Sequence, residues 1–73
     1  MTLQQLEYIV AVDEYSHFGK AADACGITQP TMSLMIKKLE EELDVTIFDR
    51  DSHPVRPTEM GRKLIDKAKV VLF

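Results

Sequence analysis

Apolar residues recur at three- and four-residue intervals along most of this chain, a spacing that predicts amphipathic helices. The first helix is expected from Leu3 to Tyr15, and residues 2–5 show the Thr-x-x-Gln pattern of a capping box at its start. Ser16 can cap a short second helix, expected over residues 17–24, and Gly26 suits the end of that helix. The amino-terminal third of the chain is therefore predicted to be helical.

A third helix is expected over residues 28–43. Thr28 can cap it, Pro30 lies in its first turn, where the missing N–H costs nothing, and Asp44 is expected to end it. Its apolar positions again follow helical spacing and are Met32, Met35, Ile36, Leu39 and Leu43. The helix is thus predicted to have one apolar and one polar face.

The pattern then changes. Residues 45–48 are β-prone and residues 55–56 follow the turn-like segment 51–54, so residues 46–57 are predicted to form a small hairpin. Thr58 opens a fourth helix, whose apolar stripe consists of Met60, Leu64, Ile65, Ala68, Val71 and Leu72. That stripe reaches the last residue without a stop signal, so we expect the helix to continue in a longer protein. The predicted fold is mainly α.

The connection between the second and third helices indicates a helix-turn-helix. It spans only residues 26–28, and so short a connection makes two helices cross steeply. Ala22 allows close approach, and Gly26 can adopt the left-handed conformation that the turn requires. Three apolar side chains can fill the angle: Ile27, Met32 and Ile36. An ordinary helical corner in an all-α domain is the alternative interpretation.

The outward face of the third helix carries groups that suit DNA. Gln29 can pair with adenine, while Pro30 and Leu34 can pack on thymine methyl groups. The hydroxyls and lysines suit phosphate or base contacts, although helix capping and a solvated face explain each of them singly. No acidic residue occurs on this helix before Glu40, which favours DNA. The candidate DNA-binding residues here are Thr28, Gln29, Pro30, Thr31, Ser33, Leu34, Lys37 and Lys38.

The hairpin offers a second candidate contact. Arg50 and Arg56 flank its tip, as in a wing that reaches a minor groove or the flanking phosphates. A plain surface turn, with Arg50 paired to Asp49 or Asp51, is the alternative. The candidate DNA-binding residues of the wing are Arg50, Ser52, His53, Pro54 and Arg56.

Composition sharpens this interpretation. The chain has 73 residues, which is too short for more than one domain. It carries 9 Lys+Arg and 12 Asp+Glu, and the resulting net charge of −3 excludes a protein that coats nucleic acid indiscriminately. The acidic residues are unevenly placed, however: residues 28–39 carry two lysines and no acid, whereas residues 40–45 carry four acids. One Cys, no apolar run long enough for a membrane span and no signal-peptide pattern lead us to expect a cytoplasmic protein.

Enzymatic chemistry is not indicated. The sequence shows no nucleophile elbow, phosphate-binding loop or paired-carboxylate site, so we expect no enzyme activity and no cofactor. His17 and His53 lack metal-ligand spacing, which argues against a metal site. Cys25 falls at an apolar position and is interpreted as a core residue. Residues 40–42, three consecutive glutamates, are interpreted as the solvated end of the third helix.

Six segments together resemble the amino-terminal DNA-binding domain of LysR-type transcriptional regulators. They are residues 3–12 (LQQLEYIVAV), 18–22 (FGKAA), 28–33 (TQPTMS), 38–43 (KLEEEL), 47–50 (IFDR) and 57–61 (PTEMG). The resemblance implies a winged helix-turn-helix with a three-helix core and a two-stranded wing, over residues 1–58. It also implies that residues 59–73 begin a linker and dimerisation helix, with an effector domain beyond it.

The same resemblance implies partners. Regulators of this type bind promoter DNA at inverted repeats with the third helix in the major groove, and they form dimers and usually tetramers, with RNA polymerase a partner of the full-length protein. The dimer contacts are expected at Leu64, Ala68, Val71 and Leu72. The alternative is a helical protein-interaction module that uses the exposed apolar face of the last helix.

The two positions after Ser33 depart from the family pattern. Many members carry Arg-Gln after the serine, whereas Leu34 and Met35 follow Ser33 here, which removes a guanidinium that could grip guanine or phosphate. The run from residue 29 to 33 without a following Arg, and the later segment 49–55, are most similar to the peroxide-sensing, OxyR-like branch of the family. The sensing cysteines of that branch lie in the effector domain.

Overall fold

The computed structural model describes all residues, 1–73, as four helices and a two-stranded hairpin. In chain order the elements are α1 (Leu3–Tyr15), α2 (Phe18–Cys25), α3 (Gln29–Leu43), β1 (Phe48–Asp49), β2 (Arg56–Pro57) and α4 (Glu59–Leu72). The two strands pair antiparallel, with Phe48 opposite Pro57 and Asp49 opposite Arg56. The mainly helical fold with a small wing is confirmed, although each strand lies slightly further along the chain than its β-prone run.

All four helices and the hairpin contribute to one hydrophobic core. It is built on the buried faces that the apolar spacing predicts, and α4 joins it through Ile65 and Ala68. The largest side chains that are fully buried are Phe48, Ile9, Met32, Ile36, Leu39, Ile47, Ile65 and Val12. This shared core fixes α3 and the hairpin relative to each other.

The predicted helix starts are confirmed at three of four positions. Thr2 forms a complete capping box, and the hydroxyls of Thr28 and Thr58 accept backbone N–H groups at the starts of α3 and α4. The prediction for Ser16 is wrong. Ser16 closes α1 in the left-handed conformation (φ 52°), and the extended His17 caps α2 instead, its Nδ1 accepting the Lys20 N–H at 2.9 Å.

The turn between α2 and α3 has the predicted helix-turn-helix geometry. Gly26 is left-handed (φ 72°), and the backbone N–H of Ile27 donates to the carbonyl of Ala22 at 3.0 Å. Ala22 itself is buried, as close approach of the two helices requires. The side chains of Met32 and Ile36 are fully buried behind the turn.

The start of α4 is fitted closely against the segment that enters the hairpin. The N–H of Thr58 donates to the carbonyl of Ile47 at 2.8 Å. Gly61 faces the same carbonyl, and a Cβ added to it would lie 1.9 Å from that oxygen. Only a glycine fits at this contact, which positions the hairpin against α4.

Some apolar side chains of α4 are exposed among charged ones, but they do not form the full stripe that the sequence predicts. Ala68 is only 2% exposed and faces the core of its own chain, so its assignment to a dimer surface is corrected. Helical periodicity explains the difference, because residues 61, 65 and 68 share the side that packs inward. Leu64 and Leu72 are half-buried, while Val71 is exposed. None of the helices is long and apolar enough to cross a membrane.

Candidate nucleic-acid interface

The first turn of α3 is exposed to solvent and carries polar groups. Gln29, Pro30 and Thr31 are all exposed, and no acidic residue lies in this turn. Thr28 is partly occupied as the cap: its Oγ1 accepts the Thr31 N–H at 3.3 Å, and the two hydroxyls lie 2.9 Å apart. Gln29 thus has the least restricted polar side chain of this turn, and its amide forms no hydrogen bond within the chain.

The next turns of α3 extend this surface. Leu34 is 52% exposed and leaves an apolar group beside the polar ones. Lys37 and Lys38 are exposed further along the helix and form no ion pair. These residues occupy the positions at which the sequence predicts base and phosphate contacts.

Ser33 and Arg50 meet across the space between α3 and the hairpin. Arg50 Nη1 donates to Ser33 Oγ at 2.6 Å, although the residues are 17 apart in sequence. The Arg50 side chain is 34% exposed, so it lies at the edge of the surface and not fully in solvent. Ser33 and Arg50 are both predicted to contact DNA, and in the free chain they are already hydrogen-bonded to each other.

Glu40 holds Arg50 in this place. Its Oε1 accepts from Arg50 Nη2 at 3.0 Å, and its Oε2 accepts the backbone N–H of Ile47 at 2.7 Å. The side chain is only 13% exposed. The interpretation of Glu40 as part of a solvated acidic end is therefore wrong, and so is the alternative that paired Arg50 with Asp49 or Asp51.

Two phenylalanines support the arginine from the other side. The Arg50 guanidinium carbon lies 4.9 Å from the centroid of the Phe18 ring, a cation–π distance. Phe18 in turn meets Phe48 edge to face, with ring centroids 5.9 Å apart. Arg50 is therefore fixed by an aromatic ring from α2 and by a carboxylate and a hydroxyl that both come from α3.

A cleft of about 270 Å³ opens beside this arrangement. It separates the start of α3 from the tip of the hairpin and combines an arginine with polar and histidine side chains. Its lining residues are His17, Phe18, Gln29, Ser33, Arg50, His53 and Val55. The cleft brings four of the predicted DNA-binding residues together in one concave surface: Gln29, Ser33, Arg50 and His53.

The tip of the hairpin presents the remaining predicted residues. His53, Pro54 and Arg56 are exposed, and Arg56 forms no ion pair. The Ser52 hydroxyl is close to two carbonyls within the tip, those of Asp49 at 3.2 Å and Pro54 at 3.0 Å. Ser52 thus shapes the turn, whereas the three exposed residues form its outer surface.

Two side chains have shifted pKa values, and both lie outside the candidate DNA-binding surface. Burial raises the pKa of the Cys25 thiol, and the nearby Glu7 carboxylate raises it further. The thiol is therefore a weak nucleophile. Cys25 itself is half-buried and packs against the core without being one of its fully buried residues. The hydrogen bond to Asp13 raises the pKa of Arg62, which joins α4 to α1.

Three residues of the site were not identified from sequence: Glu40, Phe18 and His17. A usable signal existed for Glu40, because it follows Ser33 by seven residues and two helical turns place both on one side of α3. Periodicity cannot pair Glu40 with Arg50, however, since the chain reverses direction between them. The aromatic support from Phe18 likewise depends on how α2 meets the hairpin.

Comparison with known proteins assigns the family. The chain belongs to the lysR family of bacterial regulatory helix-turn-helix proteins, whose model matches residues 3–62. It is 47% identical over 72 residues to the hydrogen peroxide-inducible genes activator of Haemophilus influenzae and to the DNA-binding transcriptional dual regulator OxyR of Escherichia coli. Both alignments cover 99% of this chain and 24% of the relative. The chain thus spans about a quarter of the length of these relatives, which are named as transcriptional regulators.

Solved structures agree with the family assignment. The BenM DNA-binding domain in complex with catB site 1 DNA superposes with a TM-score of 0.96 at 43% identity, over 99% of this chain and 77% of that one. Full-length OxyR from Pseudomonas aeruginosa gives a TM-score of 0.93 at 47% identity, over 99% of this chain and 24% of that one. The predicted LysR-type winged helix-turn-helix is confirmed, and the alternative of a helical interaction module is not favoured.

Proposed function

We propose that this chain binds double-stranded DNA sequence-specifically, as the promoter-recognition domain of a LysR-type transcriptional regulator that responds to hydrogen peroxide. The observation that carries the proposal is the exposed polar face at the start of α3, beside the hairpin that bears Arg50 and Arg56. The similar BenM domain was solved on DNA, and the relatives named as peroxide-inducible activators support the peroxide response.

The two surfaces have different roles in this proposal. Residues 28–38 of α3 enter the major groove, where Gln29 reads a base edge and Leu34 packs on a thymine methyl group. Hairpin residues 46–57 contact the backbone or the minor groove through the exposed His53 and Arg56. Because acidic residues follow Lys38 closely, the DNA is expected to approach the amino-terminal half of α3.

Residues 59–73 have a separate role. With residues 1–58 as the DNA-binding unit, α4 begins the linker helix through which two copies dimerise. Its exposed apolar groups support this, since Val70 is 81% exposed and Val71 is also in solvent, next to the half-buried Leu64 and Leu72. A dimer places two α3 helices on an inverted repeat, and the full-length regulator is proposed to form a tetramer in the cytoplasm and to contact RNA polymerase.

The direct test is binding of the 73-residue chain to duplexes recovered from a random-sequence pool. We expect recovered duplexes with inverted half-sites and an affinity that falls steeply as salt rises, because phosphate contacts release counterions. Failure to shift any duplex at low salt would contradict DNA binding.

A matched pair of variants then separates base reading from phosphate contact. Gln29→Ala should weaken binding by roughly 10- to 100-fold and relax the preference at one position of each half-site. Lys38→Ala should weaken binding to all sequences alike and reduce the salt slope by about one. Equal, sequence-independent losses in both variants would contradict these roles.

A further inference from the structure

A carboxylate and a hydroxyl, both on α3, are joined in a row by a guanidinium from the hairpin. Glu40 is held at one end by the Ile47 N–H, 2.7 Å from its Oε2. Its other oxygen accepts from Arg50 Nη2 at 3.0 Å, and Arg50 Nη1 donates to Ser33 Oγ at 2.6 Å. The row ends at the cleft, which Ser33 lines together with Gln29.

The chemistry of this row fixes the direction of its last hydrogen bond. A guanidinium has donors and no acceptor, so Ser33 Oγ accepts from Arg50. The single hydroxyl proton of Ser33 is then left over, and it is donated to no acceptor within the chain. Accepting from a charged donor also polarises the hydroxyl, which strengthens the bond that it can donate.

We propose that Glu40 and Arg50 prepare Ser33 as a hydrogen-bond donor to DNA, with Glu40 as a positioning residue that touches no DNA itself. This rests on the proposed DNA-binding function. The partner of Ser33 is a hydrogen-bond acceptor, either a base-edge atom such as a purine N7 or a phosphate oxygen. Glu40 acts through Arg50, because its carboxylate holds Nη2 and so orients Nη1 toward Ser33.

The test is a double-mutant cycle on affinity for a duplex selected with the wild-type chain, at fixed low salt. Ser33→Ala should weaken binding about three- to tenfold, and Ser33→Thr, which keeps the hydroxyl, should stay within about twofold of wild type. Glu40→Gln should weaken binding about threefold alone and leave it nearly unchanged in the Ser33→Ala background. A merely structural role for Glu40 would give the same loss in both backgrounds.

Control variants separate this role from charge and from folding. Glu41→Gln removes the same charge from the next position of α3, where the side chain is exposed, and should leave affinity unchanged or slightly higher. Should Glu40→Gln fail to give a cooperative thermal unfolding transition, Arg50→Lys replaces it, because one ammonium cannot reproduce the two-sided contact of a guanidinium. The same non-additivity with Ser33→Ala is expected.

The duplex itself identifies the acceptor. Replacing single purines by 7-deazapurines, or single phosphates by methylphosphonates, should find one position that weakens wild-type binding and has no effect on Ser33→Ala. Equal affinity of Ser33→Ala and wild type, or additive losses in the cycle, would overturn the inference while DNA binding stands. Absence of any bound duplex for the wild-type chain would instead overturn the proposed function.

Discussion

Two arginine–carboxylate pairs join elements that are distant in sequence, and their roles differ. Arg62 donates to both oxygens of Asp13, at 3.1 and 2.6 Å, and joins α4 to α1. Arg50 gives only one donor to Glu40 and another to Ser33. Both carboxylates are 13% exposed. The first pair belongs to a small ionic network with Asp66 and Lys69 that fastens α4 to α1. In the second pair, Arg50 instead extends the contact to Ser33, on the surface proposed to meet DNA.

Ile47 connects the second pair to the start of α4. Its N–H donates to Glu40, and its carbonyl accepts the Thr58 N–H at the start of α4. The entry to the hairpin is thus held by both polar backbone groups of one residue. Variants on either side of Ile47 can therefore be compared by their stability and their affinity for DNA.

The largest effect is expected where α4 touches Ile47. Gly61→Ala places a Cβ 1.9 Å from the Ile47 carbonyl oxygen, and a backbone atom cannot give way as a flexible side chain can. We expect the free energy of unfolding to fall by about 3 kcal/mol, despite the higher helix propensity of alanine. Thermal and urea unfolding measure it. Lys63→Ala on the exposed side of α4 serves as control, and unfolding midpoints equal to those of this control would contradict the close fit.

A smaller loss is expected from removing Glu40. Glu40→Ala leaves the Ile47 N–H without its acceptor and the Arg50 guanidinium without its charge partner, so we expect about 2–3 kcal/mol of destabilisation in urea unfolding. Glu41→Ala, at an exposed position one residue away, should change stability by at most about 0.5 kcal/mol. Similar losses in the two variants would remove the distinction between Glu40 and the acids that follow it.

The pair between α1 and α4, Arg62 with Asp13, should contribute less to stability. Arg62 is 44% exposed, so solvent screens its attraction to Asp13, and Arg62→Met should cost roughly 0.5–1 kcal/mol. Because this pair fastens helices away from the proposed interface, affinity for a selected duplex should stay within about twofold of wild type. Arg50→Met, the matched variant of the other pair, should lower both the free energy of unfolding and the affinity for the duplex. If the two variants weakened DNA binding equally, the comparison between the pairs would fail.

The smallest effect concerns Cys25, which belongs to neither pair. Its folded-state pKa is raised by burial and by Glu7, so its contribution to stability is fully present below the ordinary thiol value of 9.0 and is lost as pH rises through the folded-state value. Urea unfolding of wild type and Cys25→Ala should therefore differ by a constant amount near pH 7 and converge only in alkaline solution. Convergence on the acid side would contradict the direction of the shift.

Local rules predicted much of the fold because the relevant interactions are short in sequence. The capping residues Thr2, Thr28 and Thr58 bond to N–H groups three residues away, and Gly26 is required by its own backbone conformation. The error at Ser16 has a local cause as well. Serine can occupy the cap at either end of a helix, and here Ser16 takes the carboxy-terminal cap of α1, which leaves the amino-terminal cap of α2 to His17.

The sequence by itself therefore determined the helices, the steep turn between α2 and α3, and the exposed polar face that predicts DNA binding, because spacing, caps and turn residues act within a few positions. Only the tertiary structure decided which groups meet across the chain. It placed Arg50 between Ser33, Glu40 and Phe18, and it turned Ala68 inward. The physical reason is that these contacts join residues on different elements, whose relative placement depends on how the whole core packs and not on any local pattern.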